Sequence, residues 1–227
     1  MRTDHGGGVP DSTAFAQTLS SLKQEGSNIL LVGRTSGSAH QAACERLLGD
    51  GEELRRRVYV YTAENEACGF TATAPGPDDS ACIVAQETAD GDDDGMHDAV
   101  PSSIERTVVG NQLLASLGAE TIDAVAAYDD EFDLAPAELR LCFDSVTPLL
   151  RDHKSENVFR LLHMVTSRVR EVDGMGHFHL PLGRDSDYVH LLEPLFDAIV
   201  EVRDGDDGLQ QRWDLRDRGA DTGWIEL

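Results

Sequence analysis

"SNILLVGRTSGSAHQAACERLLGDG", residues 27–51, is the stretch on which the fold turns. Its "ILLV" core is continuously apolar, the pattern of a strand covered on both faces rather than one with a wet side. Gly33 and Gly37 bracket a short polar turn. Ala42, Ala43, Leu47 and Leu48 then recur at helical spacing until Gly49 stops the helix. A buried strand, a glycine-spaced turn and a helix, in that order, open a parallel α/β unit.

The same alternation continues outward. "RRRVYVYTA" and "SACIVAQ" read as second and third strands, joined through the Gly/Pro-rich turn "TAPGPDD". "IERTVV" is a short strand, and "AETIDAVAAYDDEF" has helical spacing at Ile122, Val125 and Ala126. "LRLCFDS" is a buried strand ending in Asp144. "SENVFRLLHMVTSRVREVDG" is the clearest helix, with Ser155 as cap, Glu156 in the first turn, one stripe of Val158, Leu161, Leu162, Val165 and Val169, and Gly174 as terminator. "MGHFHLPLG" is a strand, "DYVHLLEPLFDAIVEV" a helix running into a strand, and "LQQRWDL" with "GWIEL" a terminal β-hairpin. Residues 1–12 are expected to be a mobile segment and 13–227 a single domain, with an acidic loop near 86–103.

Charge narrows the setting. Acidic residues outnumber basic ones 42 to 19, a net charge of −23, and only Lys23 and Lys154 are lysines. Such a charge drives the compact state apart in dilute buffer. At about 1 M salt the screening length falls to about 3 Å and the repulsion largely disappears. The composition therefore suits a salt-rich, halophilic cytoplasm; an ordinary acidic protein is the alternative, and it fits the scarcity of lysine less well. Phosphate recognition needs clustered Lys and Arg, and the densest basic run, "LRRRV" at 54–58, leads straight into a strand. No nucleic acid is expected as partner. No apolar run is long enough to span a bilayer, so neither a membrane nor an export route is expected, and the localisation read here is cytoplasmic. Cys44, Cys68, Cys82 and Cys142 stand far apart and are read as free thiols.

The turn after the first strand invites comparison with the phosphate-loop pattern G-x-x-x-x-G-K-[ST]. Laid from Gly33, that pattern meets Ser38, Ala39 and His40 in its last three places. A hundred residues on, "LRLCFDSVTPLL" resembles the magnesium-binding strand of KaiC-like and RecA-like ATPases, where an apolar run ends in Asp-Ser. "NVFRLLHMVTSRVREVDGMGHFHLPLG" and "LEPLFDAIVEV" resemble the segments that follow it in that fold. The set, residues 27–203 and most strongly 139–203, resembles a haloarchaeal group of KaiC-like domains whose ATP site has degenerated.

The resemblance implies a RecA/KaiC-like, mostly parallel sheet with helices on both faces and a C-terminal β-hairpin. It assigns Gly33, Arg34, Gly37 and Ser38 to a vestigial nucleotide loop and Asp144 to the magnesium position. Ala39 stands where the lysine should neutralise phosphates, and His40 where a hydroxyl should ligate magnesium. Arg34 is the only permanent cation in the loop, and Glu45 adds a negative charge. ATP turnover is therefore not expected. Restoring Ser38→Gly, Ala39→Lys and His40→Thr together is expected to recover some binding. The implied function is a non-catalytic regulatory or signalling module acting through protein partners, including homo- or hetero-oligomers with KaiC-like proteins. A nucleotide- or metal-binding sensor or enzyme at the same sheet edge is the alternative.

Other candidates are read more plainly. "HFH" puts His177 and His179 on one face of a strand, and with Asp144 they would make a weak metal site. No third ligand has diagnostic spacing, so the histidines are read as packing groups and no metal or cofactor is expected. Ser145 is read as turn chemistry, Cys142 as core, and "GDDDG" at 91–95 as solvated rather than a calcium loop.

Overall fold

The computed structural model describes residues 12–35, 37–49, 53–62, 79–87, 104–110, 114–206, 208–216 and 220–227. Among them, ten strands form one sheet: β1 (Ser27–Val32), β2 (Arg56–Tyr61), β3 (Ser80–Gln86), β4 (Glu105–Val109), β5 (Leu139–Phe143), β6 (Met175–Leu180), β7 (Ala198–Gly205), β8 (Gly208–Leu215), β9 (Ala220–Asp221) and β10 (Ile225–Glu226). The order is β10-β8-β7-β1-β6-β5-β2-β3-β4, with β9 paired to β8. From β4 to β7 every pairing is parallel. The end is antiparallel: β8 folds back on β7 and carries β9 and β10. This is the expected sheet with its C-terminal hairpin.

Alternation along the central strands decides the layers. Leu30 and Val32 of β1, Leu141 and Phe143 of β5 and Phe178 and Leu180 of β6 face one side. There they meet the buried stripes of α3 (Leu114–Glu131) and α5 (Ser155–Glu171). Phe143 and Phe178 stack with ring centroids 5.6 Å apart. All five predicted stripe residues of α5 are buried. On the other face Ile29 and Leu31 pack under Ala39 and Ala43 of α2 (Gly37–Leu48). Helices therefore cover both faces.

Local details differ from the sequence reading. Ser155 is the first helical residue of α5 rather than its cap; Lys154 holds the cap position with extended backbone and no side-chain cap bond. The left-handed residue closing α5 is Asp173, at φ 49°. Gly174 is small for another reason: a Cβ there would lie 2.8 Å from Leu139 Cδ2. In α3 the buried residues are Leu117, Gly118, Thr121 and Val125; of the expected stripe Val125 is buried, while Ile122 and Ala126 are half-buried. A further helix, α1 (Ser12–Gln24), stands outside the elements expected from the sequence, although its Phe15, Leu19 and Leu22 follow an i, i+4, i+7 spacing. Its Phe15 meets Trp213 edge-on at 5.9 Å. Ser12 thus belongs to a helix, while residues 1–11, the acidic stretch at 88–103 with its "GDDDG", and Cys68 lie outside the described residues.

The basic run behaves as a strand edge. Arg55 pairs with Glu53, Arg56 with Glu138 at 3.3 Å, and Arg57 with Asp79 at 2.8 Å. The Arg56 guanidinium also lies 3.8 Å above the Phe132 ring. Two short helices follow β5 and β6, α4 (Thr147–Asp152) and α6 (Asp187–Leu192). Arg184, ahead of α6, bridges Glu193 at 2.9 Å and Asp214 of β8 at 3.0 Å, pinning the hairpin to the parallel sheet. The Arg184 hydrogen bond to Glu193 holds that carboxyl below its ordinary value. Among the described residues no helix is long and apolar enough to cross a membrane.

Candidate functional site

Ligands of open parallel sheets sit beyond the carboxyl ends of the strands, and the singled-out residues gather there. Gly33 follows β1, with its N–H donated to the Leu182 carbonyl at 2.9 Å. Arg34, Gly37 and Ser38 are exposed around the start of α2. Asp144 follows β5, fully buried, its N–H bonded to the Val60 carbonyl. Ser145 accepts the Thr147 N–H on its hydroxyl at 3.3 Å, the turn chemistry expected of it.

The two positions that depart from the phosphate-loop pattern both point inward. Ala39 is fully buried in the apolar cluster that contains Ile29 and Leu31. His40 is 1% exposed. Its Nε2 lies 3.0 Å from the Gly33 carbonyl oxygen and its Nδ1 lies 3.2 Å from Nδ1 of His179. Because a carbonyl only accepts, His40 Nε2 carries a proton; in the neutral ring Nδ1 is then the acceptor. The His179 Nδ1–H therefore donates to it, which leaves the lone pair on His179 Nε2. That nitrogen, in a residue with no exposure, has no hydrogen-bond partner among the described residues.

The β5–β6 register sets Cys142 directly beside His177, and both face α2. Helix α2 lowers Cys44 onto them. Cys44 Sγ lies 3.5 Å from Cys142 Sγ and 3.3 Å from His177 Nε2. One donor atom from each of Cys44, Cys142, His177 and His179 lies within 4.8 Å of the others, and all four residues are buried. The expectation of no metal rested on the lack of a third ligand with diagnostic spacing; further candidate ligands come instead from other elements of the fold. The structure supplies two thiols, and Cys142, read as core, is one of them. Asp144 does not belong to the group. Cys82 stands apart, beside Tyr128, where burial pushes its thiol up to about 11 and the Tyr128 hydroxyl higher still.

The mostly parallel sheet with helices on both faces, whose first strand feeds a glycine turn and whose fifth ends in a buried Asp, shares its fold with a KaiC-like protein. The solved structure of the KaiC-like protein PH0186 from Pyrococcus horikoshii OT3 is similar, with a TM-score of 0.50 at 15% identity over 88% of this chain and 84% of that one. A second similar structure is the uncharacterized protein PH0321 from Pyrococcus horikoshii in complex with an unknown peptide, with a TM-score of 0.48 at 12% identity over 90% and 89%. No curated protein matches the chain. The family of unknown function DUF7504 matches residues 26–202, and the chain belongs to that family.

Proposed function

We propose that this KaiC-like domain is a non-catalytic regulatory or signalling module that acts through a protein partner, its ATP site having degenerated. One observation carries the reading. The two side chains at positions 39 and 40, which in a working site hold phosphate and magnesium, are a buried alanine in an apolar cluster and an imidazole bonded to the loop's own carbonyl. Gly33, Arg34, Gly37, Ser38 and Asp144 remain as the outline of the site. The pairing of Arg55, Arg56 and Arg57 with carboxylates supports a partner other than nucleic acid. Proteins of the same KaiC-like fold, in homo- or hetero-oligomers in a salt-rich cytoplasm, are the partners in this reading.

The expected result is no steady ATP hydrolysis in high salt with magnesium, and at most weak binding by calorimetry. The triple replacement Ser38→Gly, Ala39→Lys and His40→Thr now carries a different expectation from the sequence reading. A lysine at 39 would place its charge among Ile29, Leu31 and Ala43, at a cost of several kcal/mol unless paired, so the variant loses stability without regaining ATP. Turnover by the unmodified protein that disappears in Asp144→Ala would overturn the proposal.

A further inference from the structure

We infer that Cys44, Cys142, His177 and His179 form a closed four-coordinate zinc site that fastens α2 to β5 and β6, with His40 as the outer partner of His179. The inference stands independently of whether the protein binds ATP or a partner.

Geometry comes first. Tetrahedral zinc with Zn–S of about 2.3 Å and Zn–N of about 2.0–2.1 Å places two sulfurs about 3.8 Å apart and a sulfur and a nitrogen about 3.6 Å apart. The observed Sγ–Sγ distance is 3.5 Å and the Nε2–Sγ distance 3.3 Å. With one donor atom chosen from each residue, every pair lies within 4.8 Å, so closure needs side-chain shifts of about 1 Å against ideal edges. Charge comes second. Two thiolates and one divalent ion sum to zero, so a fully buried site carries no net charge to desolvate. A carboxylate set would not suit a buried thiol-imidazole pocket, and soft sulfur with imidazole selects zinc over magnesium or calcium.

The protons are arranged to match. Ligating histidines donate their other ring N–H to an outer partner that fixes the tautomer. His179 does so from Nδ1 to His40, which is itself anchored on the Gly33 carbonyl. The lone pair left on His179 Nε2, buried and otherwise unpartnered, is the ligand atom. Position 40, which holds a magnesium hydroxyl in a working phosphate loop, has here become the outer support of a different metal.

The test uses the full chain expressed with added zinc and purified in high salt under reducing, anaerobic conditions. Elemental analysis is expected to find about one zinc per chain. Replacing it with cobalt should give the visible bands and the near-ultraviolet thiolate charge-transfer band of a tetrahedral site, which reads the ligand set without any substitution. Cys44→Ser and His179→Ala should lose the metal, and Cys82→Ser should keep it. His40→Gln should keep the stoichiometry but weaken affinity about 10–100-fold in chelator competition. The proposal is overturned if the folded wild-type chain takes up no zinc, if its cobalt form lacks the thiolate band, if Cys82→Ser loses the metal as readily as Cys44→Ser, or if Cys44 and Cys142 prove to be disulfide-bonded in fresh reduced preparations.

Discussion

Melted in a series from dilute buffer to multimolar potassium chloride, the protein gains stability steeply, and in the most dilute buffers it is largely unfolded. The net charge of −23 sets this expectation. Among the described residues, several cations are already committed to ion pairs: Arg57 to Asp79, Arg168 to Asp129, Arg170 to Asp197, Arg184 to Glu193 and Asp214, Arg212 to Glu201. Salt weakens those pairs too, but a partly exposed pair contributes only about 0–1 kcal/mol. The unpaired carboxylates repel one another over the whole surface, and at about 1 M salt their field reaches only about 3 Å, so the repulsive sum dominates. A gain of about 5 kcal/mol, the whole stability of a marginal domain, moves the midpoint of a chain this size by roughly 10–20 °C. A midpoint independent of salt, followed by circular dichroism with metal content held constant, would remove the halophilic reading.

Gly33→Ala should be the most damaging single-methyl change at the sheet edge. Gly33 has φ 141°, outside the range of L side chains, and a Cβ added there would lie 2.2 Å from the Val202 carbonyl oxygen. That neighbour is backbone of β7, held in register with β8, so it cannot rotate away. Strained backbone costs about 1–3 kcal/mol and overpacking a further 1–3 kcal/mol, so a loss of about 3 kcal/mol or more is expected in urea unfolding at fixed high salt. Gly110→Ala, with nothing within 4 Å of its Cβ position, is the control and should change stability by less than about 0.5 kcal/mol. Equal, small effects of the two substitutions would show that the β1–α2 turn is looser than its geometry implies.

How much of this was legible beforehand depended on the range of the signal. The strands β1, β3, β5 and β6 are short apolar runs between turn residues, and the stripe of α5 repeats every three or four positions; both are local patterns that survive any tertiary arrangement. Helix α1 carries the same kind of local signal in Phe15, Leu19 and Leu22. The Ser155 cap failed because a one-residue extension of the helix moves the serine inside it, a shift that no propensity resolves.

The candidate site divides along the same line. From the sequence alone, Gly33 closes a strand, Asp144 ends another, the loop has no lysine, and His177 and His179 share a face because side chains two apart on a strand must. Only the tertiary structure could say what lies opposite that face. Cys142 reaches His177 through the β5–β6 register, and Cys44 reaches both because α2 crosses over those strands. Ninety-eight residues separate the two thiols, and a ligand set drawn from three elements leaves no spacing along the chain, since the distances that matter are fixed by strand pairing and helix packing rather than by sequence separation.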